Sequence, residues 1–520
     1  MAAQAGFPEK KAAESGRRGR PLVLLTIVLV IATAGLVYEL CMAAVASYVL
    51  GDSVRQFSIV IGLYLSALGL GAYLSRYIVQ RLELTFVDVE LSAALLGGFS
   101  APALLLAYDH TSYFHALLYL TVLLVGTLVG LELPLLMRIL RQQLEFKDLI
   151  AKALTFDYAG ALLGSLGFSL LLVPKLGLLK SSLVCGLLNA SVGLVSTWVL
   201  AAPGRQGAAW RAARLRAVIV LVLLGLGLVQ SGALVARTEA RLFGGRVLVA
   251  EHSEYQRILL VERSGAIELY LNGNLQFSSR DEHRYHEALV HPAMLAAASR
   301  ARILIGGGGD GLAVREVLKW PEVTEVTLVD LDARITELAQ RQPDLVRQNR
   351  RALFDPRVRV VNDDAMRWFA GATDAFDVVI LDFPDPTNYS LGKLYSTRFF
   401  ASARRLLAPG GALVVQSTSP LFAPAAFWCV EHTLRQSGFF VRPYHVFVPS
   451  FGEWGFLLAK REDFQPPGAV PALDLRYLDG AALRAAFAFP ADMQRRATEP
   501  NRLDNQALVN YYVSEWERWN

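Results

Sequence analysis

The sequence predicts a chain of two fold classes. A multi-span α-helical membrane domain comes first, and a soluble α/β domain with a Rossmann-like parallel sheet follows, preceded by a small β module. The 520 residues are 53% hydrophobic and 19% charged, whereas a typical soluble domain is about 25% charged. Apolar stretches long enough to cross a bilayer are concentrated before residue 241. After it, short β-branched runs alternate with amphipathic stretches, and one run leads into a glycine-rich turn.

Composition and charge exclude several classes of protein. The apolar content argues against a disordered chain, a collagen-like fibre and a wholly soluble enzyme. With 51 Lys and Arg against 46 Asp and Glu, the net charge is +5, which gives no reason to expect a nucleic-acid partner. Cys41, Cys185 and Cys429 lie far apart in the sequence. Neither a disulfide framework nor a cysteine metal site is therefore predicted.

Residues 1–20 form a basic tail, and residues 21–240 are predicted to form a transmembrane domain of about seven helices. The candidate spans, each about 20 or more residues long, are 22–48, 57–79, 86–107, 114–137, 150–173, 176–200 and 217–236. The first span is too long for the apolar core of a signal peptide, and it is predicted to be a membrane anchor. The lipid bilayer of the cell (inner) membrane is therefore a predicted partner of this half.

The basic residues predict how these spans are oriented. Fifteen Lys and Arg residues, in the tail and in three loops, fall on one side, and three fall in short loops on the other. The positive-inside rule then places the N-terminus in the cytoplasm. Seven crossings would put the soluble domain outside, unless one span is miscounted, so the sequence leaves its face open.

Four carboxylic side chains lie within the predicted spans, namely Glu39, Glu90, Glu132 and Asp157. A charged carboxylate at the bilayer centre costs about 2.5 to 3.5 kcal/mol or more. One interpretation is a cation path or binding site. The other is a set of protonated or interfacial carboxyls that are hydrogen-bonded between helices, and the sequence does not separate the two.

The soluble half divides into a β-rich module at 241–295, a Rossmann-like domain at 296–465 and a C-terminal extension at 466–520. In the module, Asn272-Gly273 is a predicted hairpin turn. In the Rossmann-like domain, a predicted strand at 302–305 runs into Gly307, Gly309 and Gly311, which follow a GxGxG pattern. Such a turn lets the backbone approach a ligand closely at the start of a helix.

Acidic residues follow four successive predicted strands. Asp310 lies in the glycine turn, and Asp330 ends the strand at 326–329, where a carboxylate accepts hydrogen bonds from ribose hydroxyls. The next two strands, 358–361 and 378–381, lead to Asp363 and Asp364 and to Asp382 and Asp385. Because ligands bind at the carboxyl ends of parallel strands, these side chains are predicted to share one crevice. Such a crevice repels phosphate and attracts a cationic nucleoside and a cationic co-substrate.

Five stretches carry a resemblance to a known family. They are Tyr255-Gln256, Asn272-Gly273-Asn274-Leu275-Gln276, Arg280-Asp281-Glu282 with Tyr285-His286-Glu287, Gly307-Gly308-Gly309-Asp310-Gly311, and Asp382-Phe383-Pro384-Asp385-Pro386. In order and spacing, this part of the chain resembles the aminopropyltransferases, the spermidine synthases, of the methyltransferase-like Rossmann fold. The resemblance runs from about Tyr255 to Phe456 and leaves out the membrane half, although membrane-attached relatives exist.

The resemblance implies transfer of an aminopropyl group from decarboxylated S-adenosylmethionine to putrescine or a similar diamine, which gives spermidine and methylthioadenosine. It implies no metal or redox cofactor, and a homo-oligomer. The implied donor-binding residues are Gln256, His286, Gly307, Gly309, Asp310, Gly311, Asp330, Asp363 and Asp364. The implied acceptor-binding residues are Gln276, Tyr285, Asp310, Asp382 and Asp385. Asp382, with Tyr285 beside it, is the implied catalytic base.

This chain departs from the family pattern, and two other functions are compatible with its sequence. Phe383-Pro384 replaces small hydroxyl residues and is expected to narrow the acceptor site, and Phe451 stands where many relatives have a substrate-contacting Tyr. A methyltransferase using intact S-adenosylmethionine would use the same crevice, although Asp310 would then face the donor's carboxylate. A membrane module that transports or senses polyamines is the second alternative, and the carboxyls in the spans keep it open.

Overall fold

The computed structural model describes residues 9–50, 53–108, 113–141, 146–201, 207–242, 244–516 and 518–519. The chain separates into two compact units, Met1–Gly244 and Gly245–Asn520. The first unit is helical, and the second contains the strands.

The first unit contains seven α-helices in the described residues. They are α1 (Glu9–Leu50), α2 (Ser53–Leu74), α3 (Leu82–Tyr108), α4 (Phe114–Leu140), α5 (Phe146–Gly167), α6 (Val173–Val199) and α7 (Ala208–Leu242). A short π-helix, Phe168–Leu172, joins α5 to α6. By length and composition, six described helical runs are able to cross a membrane, because Lys147–Val199 counts as one run of 53 residues. A straight helix of that length would extend about 80 Å, far more than the roughly 30 Å of a hydrocarbon core.

The 53-residue run reverses direction near Gly177, whose φ of 77° interrupts the helix. Before the break, α5 runs parallel to α1, since Gly160 and Gly164 pack against Leu29 and Thr33 respectively. After the break, α6 runs antiparallel to α3. The Ser182 hydroxyl donates to the Gly98 carbonyl at 3.0 Å. Gly193, which is eleven residues after Ser182 in α6, lies beside Glu90, which is eight residues before Gly98 in α3.

Two apolar clusters fix the directions of the other helices. One joins the N-terminal halves of α1 and α3 to the C-terminal halves of α4 and α6, and the other joins the C-terminal halves of α1 and α3 to the N-terminal half of α4. In α7, Arg216 pairs with Asp88 and Gly227 packs against Phe99, so α7 runs parallel to α3. Helix α2 runs parallel to α4, since Gly126 contacts Tyr64 and Gly130 contacts Leu68. Helices α1, α3, α5 and α7 therefore point one way, and α2, α4 and α6 point the other.

The second unit begins with a four-stranded antiparallel sheet. Its strands, in spatial order, are β1 (Arg246–His252), β2 (Arg257–Arg263), β3 (Ala266–Leu271) and β4 (Asn274–Ser278). Asn272 and Gly273 connect β3 to β4 with φ values of 50° and 83°. Positive φ at both central residues is typical of a type I′ hairpin turn, so the predicted Asn-Gly turn is confirmed.

A seven-stranded sheet follows. It contains β5 (Arg302–Gly307), β6 (Glu325–Asp330), β7 (Val358–Asn362), β8 (Phe376–Asp382), β9 (Leu407–Gln416), β10 (Phe440–Val448) and β11 (Gly452–Lys460), in the spatial order β10-β11-β9-β8-β5-β6-β7. Strands β5 to β9 are parallel, and β10 and β11 are antiparallel. The parallel Rossmann-like sheet is thus confirmed, with an antiparallel pair at one edge.

The helices of the second unit lie between and after these strands. They are α8 (Glu282–Ala296), α9 (Leu312–Val317), α10 (Ala333–Arg341), α11 (Pro343–Gln348), α12 (Ala365–Gly371), α13 (Tyr389–Gly392), α14 (Thr397–Leu406), α15 (Pro424–Gln436), α16 (Gly480–Ala486) and α17 (Ala507–Trp516). Alternate strand residues face two separate apolar layers, with Leu304 in one and Ile303 and Ile305 in the other. The strand order reverses between β5 and β8, which is where ligands bind in open α/β sheets.

Candidate active site

The glycine turn after β5 is packed against two of the predicted aspartates. The Gly309 amide donates to Asp330 Oδ2 at 3.0 Å. A Cβ at position 309 would lie 2.7 Å from the same oxygen, so a side chain there is excluded sterically. Gly308, which the GxGxG pattern leaves unspecified, has a φ of 68°, and a Cβ there would lie 3.1 Å from Asp382 Oδ2. Glycine is therefore favoured at 309 by the close approach of Asp330 and at 308 by the positive φ.

Asp330, at the end of β6, is held by the backbone on both of its oxygens. Oδ2 accepts from Gly309, and Oδ1 accepts from the Asp332 amide at 2.9 Å. Burial, together with the negative charges of Asp332 and Asp310, raises the pKa of Asp330 to about 6 despite these hydrogen bonds. The carboxylate is thus fixed in position at the mouth of the crevice.

Gln256 reaches this strand end from the β module. Its side-chain amide donates to Asp332 Oδ2 at 2.9 Å, and the Ser253 hydroxyl donates to the same oxygen at 2.6 Å. Asp332 also caps α10 through Oδ1, which accepts from the Arg334 amide. Asp332 and Ser253 were missed by sequence reasoning, although the Asp330-Leu331-Asp332 spacing placed a second acid next to the first.

Tyr285 and Asp382 form the predicted pair at the end of β8. The Tyr285 hydroxyl, on α8, donates to Asp382 Oδ1 at 2.6 Å. Burial is the main reason that the pKa of Asp382 is raised to about 6. The Asp310 charge adds to that shift, and the nearby His286 and the Tyr285 hydrogen bond oppose it. The pKa of the Tyr285 phenol is raised by burial and by Asp382, so the tyrosine stays a neutral donor and the aspartate remains the acceptor.

A buried ionic network lies behind this pair. His286 Nδ1 is 2.9 Å from Glu282 Oε2, and Arg315 donates to both oxygens of Glu282, at 2.9 and 2.8 Å. Burial would raise the pKa of Glu282, but its bonds to His286 and Arg315 hold that pKa well below its usual range. Burial would likewise lower the pKa of His286, but Glu282, Asp310 and Asp382 together raise it. These three carboxylates therefore favour the protonated form of His286.

Asp310 follows the glycine turn and is held by the start of α9. Its Oδ1 accepts from the Leu312 amide at 2.9 Å, and the Asn349 side chain donates to its carbonyl at 3.0 Å. Burial raises the pKa of Asp310, and the charge of His286 opposes that shift. Asp310 is in the turn whose Gly309 bonds Asp330 and whose Gly308 lies beside Asp382, so the three acids lie together at the strand ends.

Asp385 is also close enough to Tyr285 to raise the pKa of the phenol. It accepts hydrogen bonds from the Thr418 hydroxyl at 3.0 Å and, at 3.4 Å, from the Gln416 amide. Tyr512, in the last helix, also bonds it, and burial raises the pKa of Asp385 to about 6. Thr418 and Tyr512 were missed because nothing local in the sequence connects positions so far apart.

Three predicted site residues are bonded to protein groups outside the cluster around Tyr285 and Asp382. Asp363 pairs with Arg367, four residues along the chain. Asp364 caps α12 and binds Lys393 Nζ at 2.6 Å. Burial would raise the pKa of Asp364, but the Lys393 ion pair lowers it. Gln276 donates to the Asn274 carbonyl on its own strand.

The two aromatic departures from the family pattern lie in different places. Phe383 is 6% exposed, and its ring packs against Phe399 with the centroids 5.6 Å apart. Phe383 thus belongs to the apolar core, and the expectation that Phe383-Pro384 narrows the acceptor site stays a prediction. Phe451 lies beside Tyr285, with ring centroids 6.0 Å apart, and beside Trp454, at 5.0 Å. Aromatic rings thus line one wall next to the Tyr285–Asp382 pair.

This arrangement is suited to cationic ligands and to removal of a proton. Asp310, Asp330, Asp382 and Asp385 supply negative charge in a partly buried crevice, where screening by water is reduced. No group of three or more His, Cys, Asp or Glu side chains able to hold a metal ion is found in the described part of the chain. The chemistry offered by these side chains is charge recognition and general base catalysis.

Comparison with known proteins points to one enzyme family. Residues 282–466 match the family model of the spermine/spermidine synthase domain. The polyamine aminopropyltransferase of Leptospira interrogans is 47% identical over 94% of this chain and 98% of its own. Polyamine aminopropyltransferase 2 of Ralstonia nicotianae is 47% identical over 96% of this chain and 99% of its own. A solved spermidine synthase in complex with the transition state analogue AdoDATO is 28% identical, with a TM-score of 0.45, and covers 47% of this chain and 86% of that chain. The two full-length likenesses include the helical half, which the sequence motifs alone did not cover.

Proposed function

This chain belongs to the polyamine aminopropyltransferase family, and from that premise we propose how its residues transfer an aminopropyl group from decarboxylated S-adenosylmethionine to putrescine or a similar diamine. The products are spermidine and methylthioadenosine. The observation that supports this proposal best is the short hydrogen bond between Tyr285 and Asp382. It lies in a crevice whose other carboxyls are Asp310, Asp330 and Asp385.

In the proposed donor site, Asp330 accepts hydrogen bonds from the ribose and Asp310 binds the terminal ammonium. The glycine turn lets the donor approach the backbone. Gln256 and Asp364 are proposed to hold the nucleoside from either side, with Asp363 beside Asp364, and His286 is proposed to help position the donor. For Asp364 to contact the adenine amine, Lys393 would have to give up part of its ion pair.

In the proposed acceptor site, Asp382 and Asp385 bind the diamine, and Phe451 forms part of the wall. Gln276 is proposed to contact the far end of the amine. An alkylammonium with a pKa near 10 is no nucleophile, so one ammonium proton passes to the Asp382 carboxylate first. The freed nitrogen lone pair then attacks the carbon next to the sulfonium, a C–N bond forms, and the C–S bond breaks. The electron pair of the C–S bond returns to sulfur, and the neutral thioether methylthioadenosine leaves.

The experiment that tests this function uses the purified full chain with the decarboxylated donor and putrescine. Methylthioadenosine and spermidine are expected in equal amounts. A parallel incubation with intact S-adenosylmethionine tests the methyltransferase alternative, and no S-adenosylhomocysteine is expected. Release of S-adenosylhomocysteine without methylthioadenosine, from folded protein, would reverse the assignment.

Replacing Asp310 by Asn is expected to weaken donor binding by about 10- to 150-fold. A hydrogen bond to a charged group contributes about 1.5–3 kcal/mol, and Asn removes the charge while keeping an oxygen for the Leu312 amide. The dissociation constant of the decarboxylated donor, measured by calorimetry, checks this. Asp374→Asn, at an exposed carboxyl near the opposite end of β8, is the matched control. Equal dissociation constants for the two variants would show that Asp310 does not hold the donor ammonium.

The helical half is also proposed to cross the membrane an odd number of times, with the N-terminus in the cytoplasm. The alternating directions of α1 to α7 place the start of α1 and the end of α7 on opposite sides of the helical unit. Because the basic tail and basic loops lie with the start of α1, the positive-inside rule supports a cytoplasmic N-terminus and an end of α7 on the other face. Homo-oligomerisation, which the family resemblance implies, stays a prediction.

Reporter fusions check this orientation. Alkaline phosphatase joined after residue 520 is expected to be active, and green fluorescent protein at the same place is expected to be dark. The same reporters placed at residue 205, in the α6–α7 loop, serve as the control and are expected to behave in the opposite way. A fluorescent fusion after residue 520 would mean that the chain crosses the membrane an even number of times.

A further inference from the structure

The helical unit contains a group of buried polar side chains that have no protein partner. Tyr38, Glu90 and Asn189 are 0% exposed, and Glu132 is 2% exposed. Within the described residues, no hydrogen bond reaches the Tyr38 hydroxyl, either oxygen of Glu90, Oε1 of Glu132 or either polar atom of Asn189. Buried polar groups in proteins are nearly always hydrogen-bonded. Four side chains left unsatisfied in the apolar part of a helical bundle therefore point to a missing ligand.

Helix packing brings three of these side chains together on α3. Gly193 of α6 lies beside Glu90, because a Cβ there would be 3.6 Å from the Glu90 Cβ. Asn189 precedes Gly193 by one helical turn and therefore lies on the same face of α6. Tyr38 of α1 packs its ring on Gly97, where a Cβ would lie 2.6 Å from the ring. Side chains on a helix lean toward its N-terminus, so the hydroxyl of Tyr38 extends along α3 in the direction of Glu90.

Glu132 of α4 completes the group. It is close enough to Glu90 for their charges to interact, and both carboxyls act electrostatically on the Tyr38 hydroxyl. Asp157 of α5, which is partly exposed, acts on Glu132 from a further helix. The group thus draws on α1, α3, α4 and α6, and Asp157 lies at its edge.

The two carboxyls of the group, Glu90 and Glu132, lie at the same depth. Glu90 lies five residues before the midpoint of α3 (Leu82–Tyr108), and Glu132 lies five residues after the midpoint of α4 (Phe114–Leu140). Because these helices run in opposite directions, both carboxyls lie about 7 Å from the midplane on the same side. A hydrocarbon core extends roughly 15 Å on either side of its centre, so the group lies within it, toward the face that carries the basic loops.

We propose that Tyr38, Glu90, Glu132 and Asn189 form a second amine site, which binds an alkylammonium group inside the membrane half. An ammonium has three N–H donors and one positive charge. It satisfies two carboxyls together with the oxygen of Tyr38 or Asn189, whereas protonation supplies each carboxyl with only one O–H donor. The choice of an amine over another cation rests on the proposed function, because putrescine and spermidine are the amines that the second unit handles.

The binding experiment uses the full chain in detergent and labelled putrescine. The wild type is expected to bind one more putrescine per chain than the double variant Glu90→Gln/Glu132→Gln. Glu83→Gln, at the partly exposed start of α3, is the matched control and is expected to keep the wild-type stoichiometry. The double variant is expected to form methylthioadenosine at a rate within twofold of the wild type, which shows that it has folded. Equal stoichiometry in the wild type and the double variant would overturn the proposal.

A second measurement needs no substitution. Dicyclohexylcarbodiimide, which modifies carboxyls in apolar surroundings, is expected to label Glu90 or Glu132 of the wild type, and putrescine is expected to slow the labelling at least tenfold. Tetramethylammonium has the charge but no N–H donor, and it is expected to protect little. Labelling that putrescine does not slow, or that both cations slow equally, would contradict an amine site. Failure of the proposed function is distinguishable, since the wild type would then form no methylthioadenosine whatever the labelling shows.

Discussion

Replacing Asp382 by Asn is expected to lower kcat by about 10²- to 10⁴-fold, the usual contribution of a general base. Asn keeps the shape of the side chain and an oxygen that accepts from Tyr285, but it takes no proton from the acceptor ammonium. Donor binding is expected to be retained, because the proposed donor contacts belong to Asp310 and Asp330. Methylthioadenosine release measures the rate, and calorimetry measures the donor affinity.

The pH profile separates a base from a structural role. An aspartate must be ionised to accept a proton, so with a pKa raised to about 6 it becomes inactive as the pH falls through that value. In the wild type, kcat/KM for putrescine is therefore expected to fall below about pH 6, with Asp385 contributing because its pKa is also about 6. In Asp382→Asn, the slope of log kcat/KM against pH in this range is expected to decrease by about one.

Asp377→Asn is the matched control for Asp382→Asn, since Asp377 is on the same strand but bonds the Ala301 and Arg302 amides away from the crevice. Its pH profile is expected to match that of the wild type. If Asp382→Asn kept the wild-type slope as well as most of its kcat, another group would have to be the base.

Replacing Arg315 by Leu is expected to lower the free energy of unfolding of the second unit by about 3–5 kcal/mol, the usual effect of breaking a buried ion pair. Arg315 is 9% exposed and donates to Glu282, to Glu316 and to the Gln348 carbonyl. Leucine leaves two buried carboxylates without this partner. For a unit of this size, the melting temperature is expected to fall by roughly 6–20 °C, which scanning calorimetry measures.

The pH dependence of this loss has a definite sign. The pKa of Glu282 lies well below its usual range and that of Glu316 is about 2, so their ionised forms stabilise the folded state above the unfolded pKa of about 4.3. That contribution disappears as the pH falls through the folded pKa values. The difference between the wild type and Arg315→Leu is therefore expected to shrink as the pH falls below about 4.

Arg302→Leu is the control for Arg315→Leu, because Arg302 makes the same kind of ion pair with Glu325 at a partly exposed position. Exposed pairs contribute about 0–1 kcal/mol, so its melting temperature is expected to change little. Equal losses for the two variants would mean that the network behind His286 is not a buried ionic core.

Local patterns predicted much of the second unit. The four β-branched runs that precede the acids became β5 to β8, and each of the predicted acids follows its strand as expected. This worked because the end of a strand depends on the residues within it and next to it. The Asn272-Gly273 turn was predictable for the same reason, since few residue types tolerate positive φ at two successive positions.

Other features depend on pairs that are remote in sequence. Lys393 neutralises Asp364 across 29 residues, and Gln256 reaches Asp332 across 76. No periodicity or spacing indicates such pairs. The packing of Phe383 is another such case, because its ring lies against Phe399 of α14.

In the helical half, hydrophobicity located the helices, and the basic residues indicated which ends lie together. Hydrophobicity also divided the 53-residue helical run into two spans, 150–173 and 176–200, and the structure places the reversal at Gly177, next to the polar Lys175.

What the sequence determined by itself was the class of each half, the strands and turns, and the residue types at each strand end, since these depend on short-range sterics and on burial of apolar side chains. Only the tertiary structure decided which carboxyls face one another, which are already paired with a cation, and which polar groups inside the helical unit lack a partner. The physical reason is that electrostatic and hydrogen-bond energies depend on distances of a few ångströms between groups that the chain alone does not hold together.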